Sequence, residues 1–239
     1  MAHLKQISTG SQSGNCYVYK NFMLDIGVSF IKIKQVIKEI DYIFISHNHG
    51  DHIRLSTVKR VARDYPDIIF IGGRHFDELF KELNLRHITV DDNNTIWLEK
   101  DKLHITLNNL YHDIPNKAIH IHDIENDVKG LYATDTNHLI GIAAKDYDWY
   151  CIEYNHDTEV HQDLIKNASS KAVKDRFSNA LVSHLSFEQC DQFIQNNAKI
   201  GSEIMKVHLS TAYNEVEHRL HYIYEGEEEW KNIMTHWRN

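Results

Sequence analysis

Proline, glycine and cysteine are all scarce in this chain of 239 residues, which contains two, ten and three of them respectively. So little proline and glycine excludes long linkers and low-complexity tails, and no internal repeat is found. Cys16, Cys151 and Cys190 are odd in number and far apart, so they form no disulfide framework and point to a reducing compartment. No run approaches the ~18 apolar residues of a membrane span, and Met1 to Gly10 has no apolar leader core. The expectation is a soluble cytoplasmic protein that does not associate with membranes. An excess of basic charge is also missing. Lysine and arginine total 26 against 34 acidic residues, a net −8 with histidine neutral. That argues against a broad basic surface for nucleic acid, though not against phosphate drawn to bound cations.

What is present is an ordinary globular balance, 42% hydrophobic and 25% charged, in a length that suits one domain over residues 1–239. Short strands are expected over Ala2 to Ser8, Asn15 to Tyr19, Phe22 to Leu24 and Tyr42 to Ile45, with a helix from Phe30 to Ile40. Helices follow at Ser56 to Asp64 and His75 to Leu83, around a buried strand at Ile68 to Ile71. Strands then dominate through Ile88–Val90, Thr95–Leu98, Leu103–Leu107, Ala118–Ile121, Leu131–Ala133 and Trp149–Glu153. The remainder reads as helical apart from a late strand near Ile204 to Val207, with a closing helix from Tyr222 to Trp237. This order predicts an α/β chain layered αββα, sheets face to face and helices outside.

Histidine is in excess, at 18 residues, and unevenly placed. His47, His49, Asp51 and His52 fall within six residues directly after the apolar run Tyr42-Ile43-Phe44-Ile45. A loop at a strand mouth can turn such a set inward and offer one pair of ligands to each of two metals. Two adjacent divalent cations lower the pKa of a shared water and clamp the oxygens of the group under attack, which is hydrolytic chemistry. Further clusters follow predicted strands: His112-Asp113, Asp135, Glu153-Tyr154-Asn155-His156-Asp157, and the two His-Leu-Ser motifs at His184 and His208. Histidines outside these motifs read as surface or hydrogen-bonded core residues.

The motifs STGSQSGNCYVY, LDIG, ISHNHGDH, HDIPNKAI, LYATDT and EYNHD, with the His-Leu-Ser pair, run from Thr9 to Ser210. In that order they resemble the metallo-β-lactamase superfamily, and within it the YycJ-like (WalJ-like) exonuclease branch related to tRNase Z and RNase J. The resemblance implies the four-layer αββα sandwich. It implies that His47, His49 and His112 hold one metal, that Asp51, His52 and His208 hold the other, and that Asp135 bridges them. Zn²⁺ suits such ligands best, and Mn²⁺ is also compatible with the carboxylates. It further implies that Glu153 orients His184 as a general acid, and that Asp51 holds a metal-bridging hydroxide for attack. Because two His-Leu-Ser motifs occur, ligand and acid are exchangeable between His208 and His184.

Ser13 and Asn15, in the turn after the first strand, either meet a phosphate or merely close a hairpin, while Asn155 and His156 either touch substrate or support the ligands. The implied function is 5′-to-3′ exonucleolytic phosphodiester hydrolysis of nucleic acid. A cyclic-nucleotide phosphodiesterase or a lactone or thioester hydrolase is the alternative, and a metal-stabilised binding protein the third reading. Ile223, Trp230, Ile233 and Trp237 in the closing segment offer either a homodimer contact or packing onto the body.

Overall fold

The computed structural model describes residues 4–210 and 220–226. Among the described residues, thirteen strands build two sheets. The first runs, in spatial order, β1 (Leu4–Ser8), β2 (Cys16–Tyr19), β3 (Phe22–Leu24), β4 (Tyr42–Ile45), β5 (Ile69–Gly73) and β6 (His87–Val90). The second contains β7 (Thr95–Leu98), β8 (Leu103–Leu110), β9 (Asn116–Asp123), β10 (Val128–Ala133), β11 (Trp149–Glu153), β12 (Glu203–Val207) and β13 (His221–Ile223), with β7 and β13 at its edges.

The two-residue period of a strand decides which side chains fill which layer. Tyr17, Tyr19, Phe22, Leu24, Tyr42 and Phe44 point from the first sheet toward Tyr132, Trp149, Cys151, Met205 and Val207 of the second, making the inter-sheet core. Their neighbours Cys16, Val18, Met23, Ile43 and Ile45 face outward onto helix α2 (Leu55–Asp64) and helix α3 (Asp77–Glu82). Leu131, Ala133, Tyr150, Ile152 and Ile204 face outward onto helix α6 (Phe187–Asn197). The layers are therefore helix, sheet, sheet, helix. Gly130 lets Trp149 lie across β10, since a Cβ there would fall 1.7 Å from the indole.

The expected helix over 30–40 is broken into α1 (Phe30–Ile33) and a tight turn at Ile37–Glu39. Ile31, Ile33, Val36 and Ile37 are β-branched and stiff at χ1, which weakens a continuous helix. The expected closing helix is corrected at its start: Tyr222 and Ile223 belong to β13, antiparallel to β12, with Tyr222 opposite Ile204. Cross-strand pairing outweighs the aromatic, acidic composition that suggested a helix. Ile223 is partly exposed at that edge, while Trp230, Ile233 and Trp237 lie outside the described residues. Among those described, no helix is long and apolar enough to cross a membrane.

Topology brings the motif loops to one edge. β3, β4 and β5 are parallel, as are β10, β11 and β12. β8 runs antiparallel to β9, which is antiparallel to β10, so β8 ends on that same side. The carboxyl ends of β3, β4, β8, β10, β11 and β12 thus open onto a single crevice, the usual place for a site in an α/β sheet.

Candidate metal centre

Three residues that turn off those strands have left-handed backbones without being glycine: Asp25 (φ 59°), Asp135 (φ 52°) and His208 (φ 59°). Each such conformation costs on the order of 1 kcal/mol. Here it swings the side chain back across the strand end. Asp25 follows β3, Asp135 follows β10 and His208 follows β12. The loop after β4 is held by backbone bonds from Asn15 N–H to Asp51 O (2.7 Å) and from Ile26 N–H to His52 O (2.9 Å). Gly27 permits this approach, because a Cβ there would lie 1.7 Å from Asp51 O.

Nitrogens of His47, His49 and His112 converge from β4 and β8. His47 Nε2 and His49 Nδ1 lie 3.1 Å apart, and His49 Nδ1 and His112 Nε2 3.3 Å apart. Ligands at 2.0–2.1 Å from a tetrahedral zinc are separated by about 3.3 Å, so this donor set fits such an ion. A second group comprises Asp51, His52 and His208, whose Nε2 atoms each lie 3.4 Å from Asp51 Oδ2. Asp135 stands between the groups. Its Oδ2 is 2.7 Å from His52 Nε2 and 3.8 Å from His47 Nε2, while Oδ1 is 3.4 Å from His208 Nε2.

Outer partners fix which nitrogen each ring presents. His52 Nδ1 donates to Asp25 (2.6 Å), His112 Nδ1 donates to Ser183 O (3.2 Å), and His47 Nδ1 donates to Ser46 Oγ (3.0 Å). His208 Nδ1 lies 3.3 Å from Glu153 Oε1. In all four rings Nε2 is left facing the cluster. His184 is reversed. Its Nδ1 points inward, 2.6 Å from Glu153 Oε1 and 3.1 Å from Asp135 Oδ1, so its Nε2 faces out. The buried Glu153 carboxylate also accepts from the N–H groups of Thr136 (2.8 Å) and Leu185 (3.2 Å).

Burial disfavours charge on every group here, and the outcome depends on the neighbours. At His47 burial wins, aided by the other imidazoles, and its pKa falls far below the usual range. At His184 burial is outweighed by Glu153 and Asp135, which lift it to about 11. At His208 burial is outweighed by Asp135, Asp51 and Glu153, which lift it to about 9. Asp51 and Asp135 are held below the usual carboxylate range by His208 and His52 despite burial. The cage thus brings carboxylates and imidazoles together in one buried cluster, able to hold metal by the chemistry of its donors.

Sequence reading named the nine clustered residues, and Asp113 beside His112, but missed two that support them, Asp25 and Asn116. Asp25 is fully buried and accepts from Ser46 N–H (2.7 Å), Ser46 Oγ (2.8 Å) and Tyr132 OH (2.6 Å) as well as from His52. The LDIG motif marked its position without giving its role. Asn116 donates to Thr134 O and Asp135 O, fixing the Asp135 turn. Asp113, exposed, lies 3.0 Å from His112 Nε2. His184 was expected after a strand; it caps the C-terminus of helix α5 (Lys171–Ser183) instead.

Asn15 is buried, with Nδ2 2.9 Å from His52 Nε2 and 3.2 Å from Asp51 Oδ2, so it braces ligands from beneath. Ser13 stays on the exposed turn, donating to Thr9 O. Asn155 donates to His208 O at 2.9 Å. His156 is buried, with its ring centroid 4.8 Å from that of His161, and it feels the charges of Glu153 and His184.

Neither a protein-family model nor a curated protein matches the sequence. Solved structures do. The short form of human tRNase Z superposes with a TM-score of 0.66 at 16% identity, covering 90% of this chain and 95% of that one. The metallo-β-lactamase fold protein YhfI from Bacillus subtilis gives a TM-score of 0.65 at 14% identity, covering 87% and 85%. The chain has the metallo-β-lactamase fold. A long-form RNase Z from yeast gives a TM-score of 0.64 at 14% identity; 97% of this chain matches 43% of that protein.

Proposed function

We propose that this metallo-β-lactamase-fold chain is a phosphodiesterase that binds two divalent metals and hydrolyses nucleic acid exonucleolytically. The observation that carries the reading is the Glu153–His184 pair set against two ligand clusters that share Asp135. His47, His49 and His112 would hold one ion, Asp51, His52 and His208 the other, with Asp135 between them. When bound, the two ions supply an activated water and positive charge at the phosphoryl oxygens. Zinc fits the imidazole-rich set, and manganese is the second choice. The 5′-to-3′ direction rests on the resemblance to the YycJ-like branch. The similarity in fold to tRNase Z supports a nucleic-acid substrate.

The chain's own residues do the rest. Asp51, whose contacts run through Oδ2, leaves Oδ1 to orient the incoming water. Glu153 accepts from His184 Nδ1 and stabilises the imidazolium, so Nε2 carries a proton toward the leaving oxygen. As the water oxygen bonds to phosphorus, the phosphorus–oxygen bond to the leaving group breaks. The Nε2 proton goes to that oxygen, and the water's proton returns to solvent. The ring orientations favour His208 as ligand and His184 as acid, because only His208 turns Nε2 toward Asp51 and Asp135.

The test compares wild type and His184→Ala on labelled oligonucleotides, with metal content measured alongside. Unchanged metal content and turnover lower by ~10²–10⁴ are expected. Loss of metal would show that the two histidines exchange roles. Turnover of a thioester or lactone with no phosphodiester cleavage by wild type would reject the proposal.

A further inference from the structure

Beside His184 and His208 opens a cavity of about 450 Å³, within the range of small-ligand sites. One wall is α5, packed against helix α4 (Thr158–Lys166) as a helical hairpin inserted between Glu153 and His184. No residue of α5 is fully buried, so this helix adds little to the core and presents its face to the cavity. That face has a pattern. Ala172, Asp175, Arg176, Asn179, Ala180 and Ser183 recur at helical spacing along one side and line the cavity, so the wall carries one carboxylate beside its cation. The two alanines keep the wall shallow, the cation and the amide are donors suited to phosphate and sugar oxygens, and the Ser183 hydroxyl, which donates to Asn179 O at 2.7 Å, offers only its acceptor lone pairs. Asn155 also lines the cavity; it is 5% exposed, and its Oδ1 is an acceptor with no hydrogen-bond partner among the described residues.

We infer that the α5 wall is a binding surface for the leaving-group side of a single-stranded polynucleotide. Arg176 takes a backbone phosphate next to the scissile one, Asn179 takes a sugar or base oxygen, and Ser183 Oγ accepts from a sugar hydroxyl or base N–H. The side follows from His184: its Nδ1 is held by Glu153, its Nε2 faces out, and the ring itself lines this cavity. A proton delivered there reaches an oxygen whose attached chain must lie along α5. The inference rests on the phosphodiesterase reading and adds to it the class of substrate: a chain with at least one further phosphate beyond the bond cut, rather than a minimal diester.

The experiment measures kcat/KM of wild type, Arg176→Ala, Arg176→Lys and Asn179→Ala on single-stranded ribo- and deoxyribo-oligonucleotides. Bis(p-nitrophenyl) phosphate serves as the minimal diester, and metal content is checked throughout. Arg176→Ala should raise KM for oligonucleotides roughly tenfold, the scale of one charged hydrogen bond. It should flatten the log–log salt dependence by about 0.7, the value for one phosphate on a single strand. Arg176→Lys should restore the salt slope while recovering KM in part. The loss on oligonucleotides must exceed the loss on the minimal diester. Equal losses on both substrates, or no loss with an active wild type, would overturn the role of the wall. A wild type that hydrolyses the minimal diester but no oligonucleotide would overturn it too, while leaving the phosphodiesterase chemistry in place. A wild type inert toward every phosphodiester would instead remove the function on which the inference stands.

Discussion

Asp25 offers the sharpest test of how the cage is held. Its carboxylate receives four hydrogen bonds: from Ser46 N–H at 2.7 Å, Ser46 Oγ at 2.8 Å, His52 Nδ1 at 2.6 Å and Tyr132 OH at 2.6 Å. Three of these meet at Oδ2. Asp25→Asn keeps the volume and tolerates the left-handed backbone as well as aspartate does, so the change is confined to the acceptor. With Oδ1 kept on Ser46 N–H, an NH₂ group replaces Oδ2 and faces the donors. Hydroxyls can rotate away; the His52 Nδ1 proton cannot. His52 then shifts its proton to Nε2, which removes the lone pair aimed at Asp51 and Asp135. Loss of such an outer partner lowers metal affinity ten- to a hundredfold, about 1.4–2.7 kcal/mol, and the protein loses about 1–3 kcal/mol from unmet buried polar groups. Competition with a chromophoric chelator and metal counts after dialysis read the first effect, and thermal melts of metal-free protein read the second. The affinity loss should fall on the ion held by His52, while the His47–His49–His112 ion is retained more firmly. Equal metal affinity in variant and wild type would refute the argument that Asp25 sets the His52 tautomer.

Chelation should destabilise the protein, since a ligand present at a hundred times its Kd adds about 2.7 kcal/mol. For a chain of this size that is roughly 5–10 °C in Tm, and identical melts with and without a chelator would exclude metal binding to the native cage. His120 gives a pH test away from the metals. It is 8% exposed, with Nδ1 3.1 Å from Tyr147 OH, and burial pushes its pKa down to about 4. The unfolded chain binds that proton below about pH 6.5, so its stabilising contribution is complete above that value and is lost as pH falls toward 4, about 2 kcal/mol by pH 5. Urea unfolding of wild type and His120→Phe at pH 7 and pH 5 should show the smaller drop in the variant, and equal drops would contradict the assignment.

Strands with strong two-residue alternation or short continuous apolar runs were legible locally. Phe22–Leu24, Tyr42–Ile45, Thr95–Leu98 and Trp149–Glu153 have the bounds that their residues imply. The helix after Ser29 was less so, because β-branched residues that match an apolar helical stripe also resist a helix. The strand at Tyr222 was hidden because its evidence is its partner β12, not its own composition.

By itself the sequence determined the metal-loop chemistry, since four ligand-type side chains within six residues of a strand end need no distant contact to be recognised. It also determined the layer order, because a two-residue period assigns each side chain to one face of its sheet. Only the tertiary structure decided which nitrogen each imidazole presents. That choice belongs to acceptors far away in the chain, such as Asp25 under His52, Ser183 behind His112 and Glu153 against both His184 and His208. Hydrogen-bond direction is a property of packed neighbours, and periodicity along the chain carries no record of it.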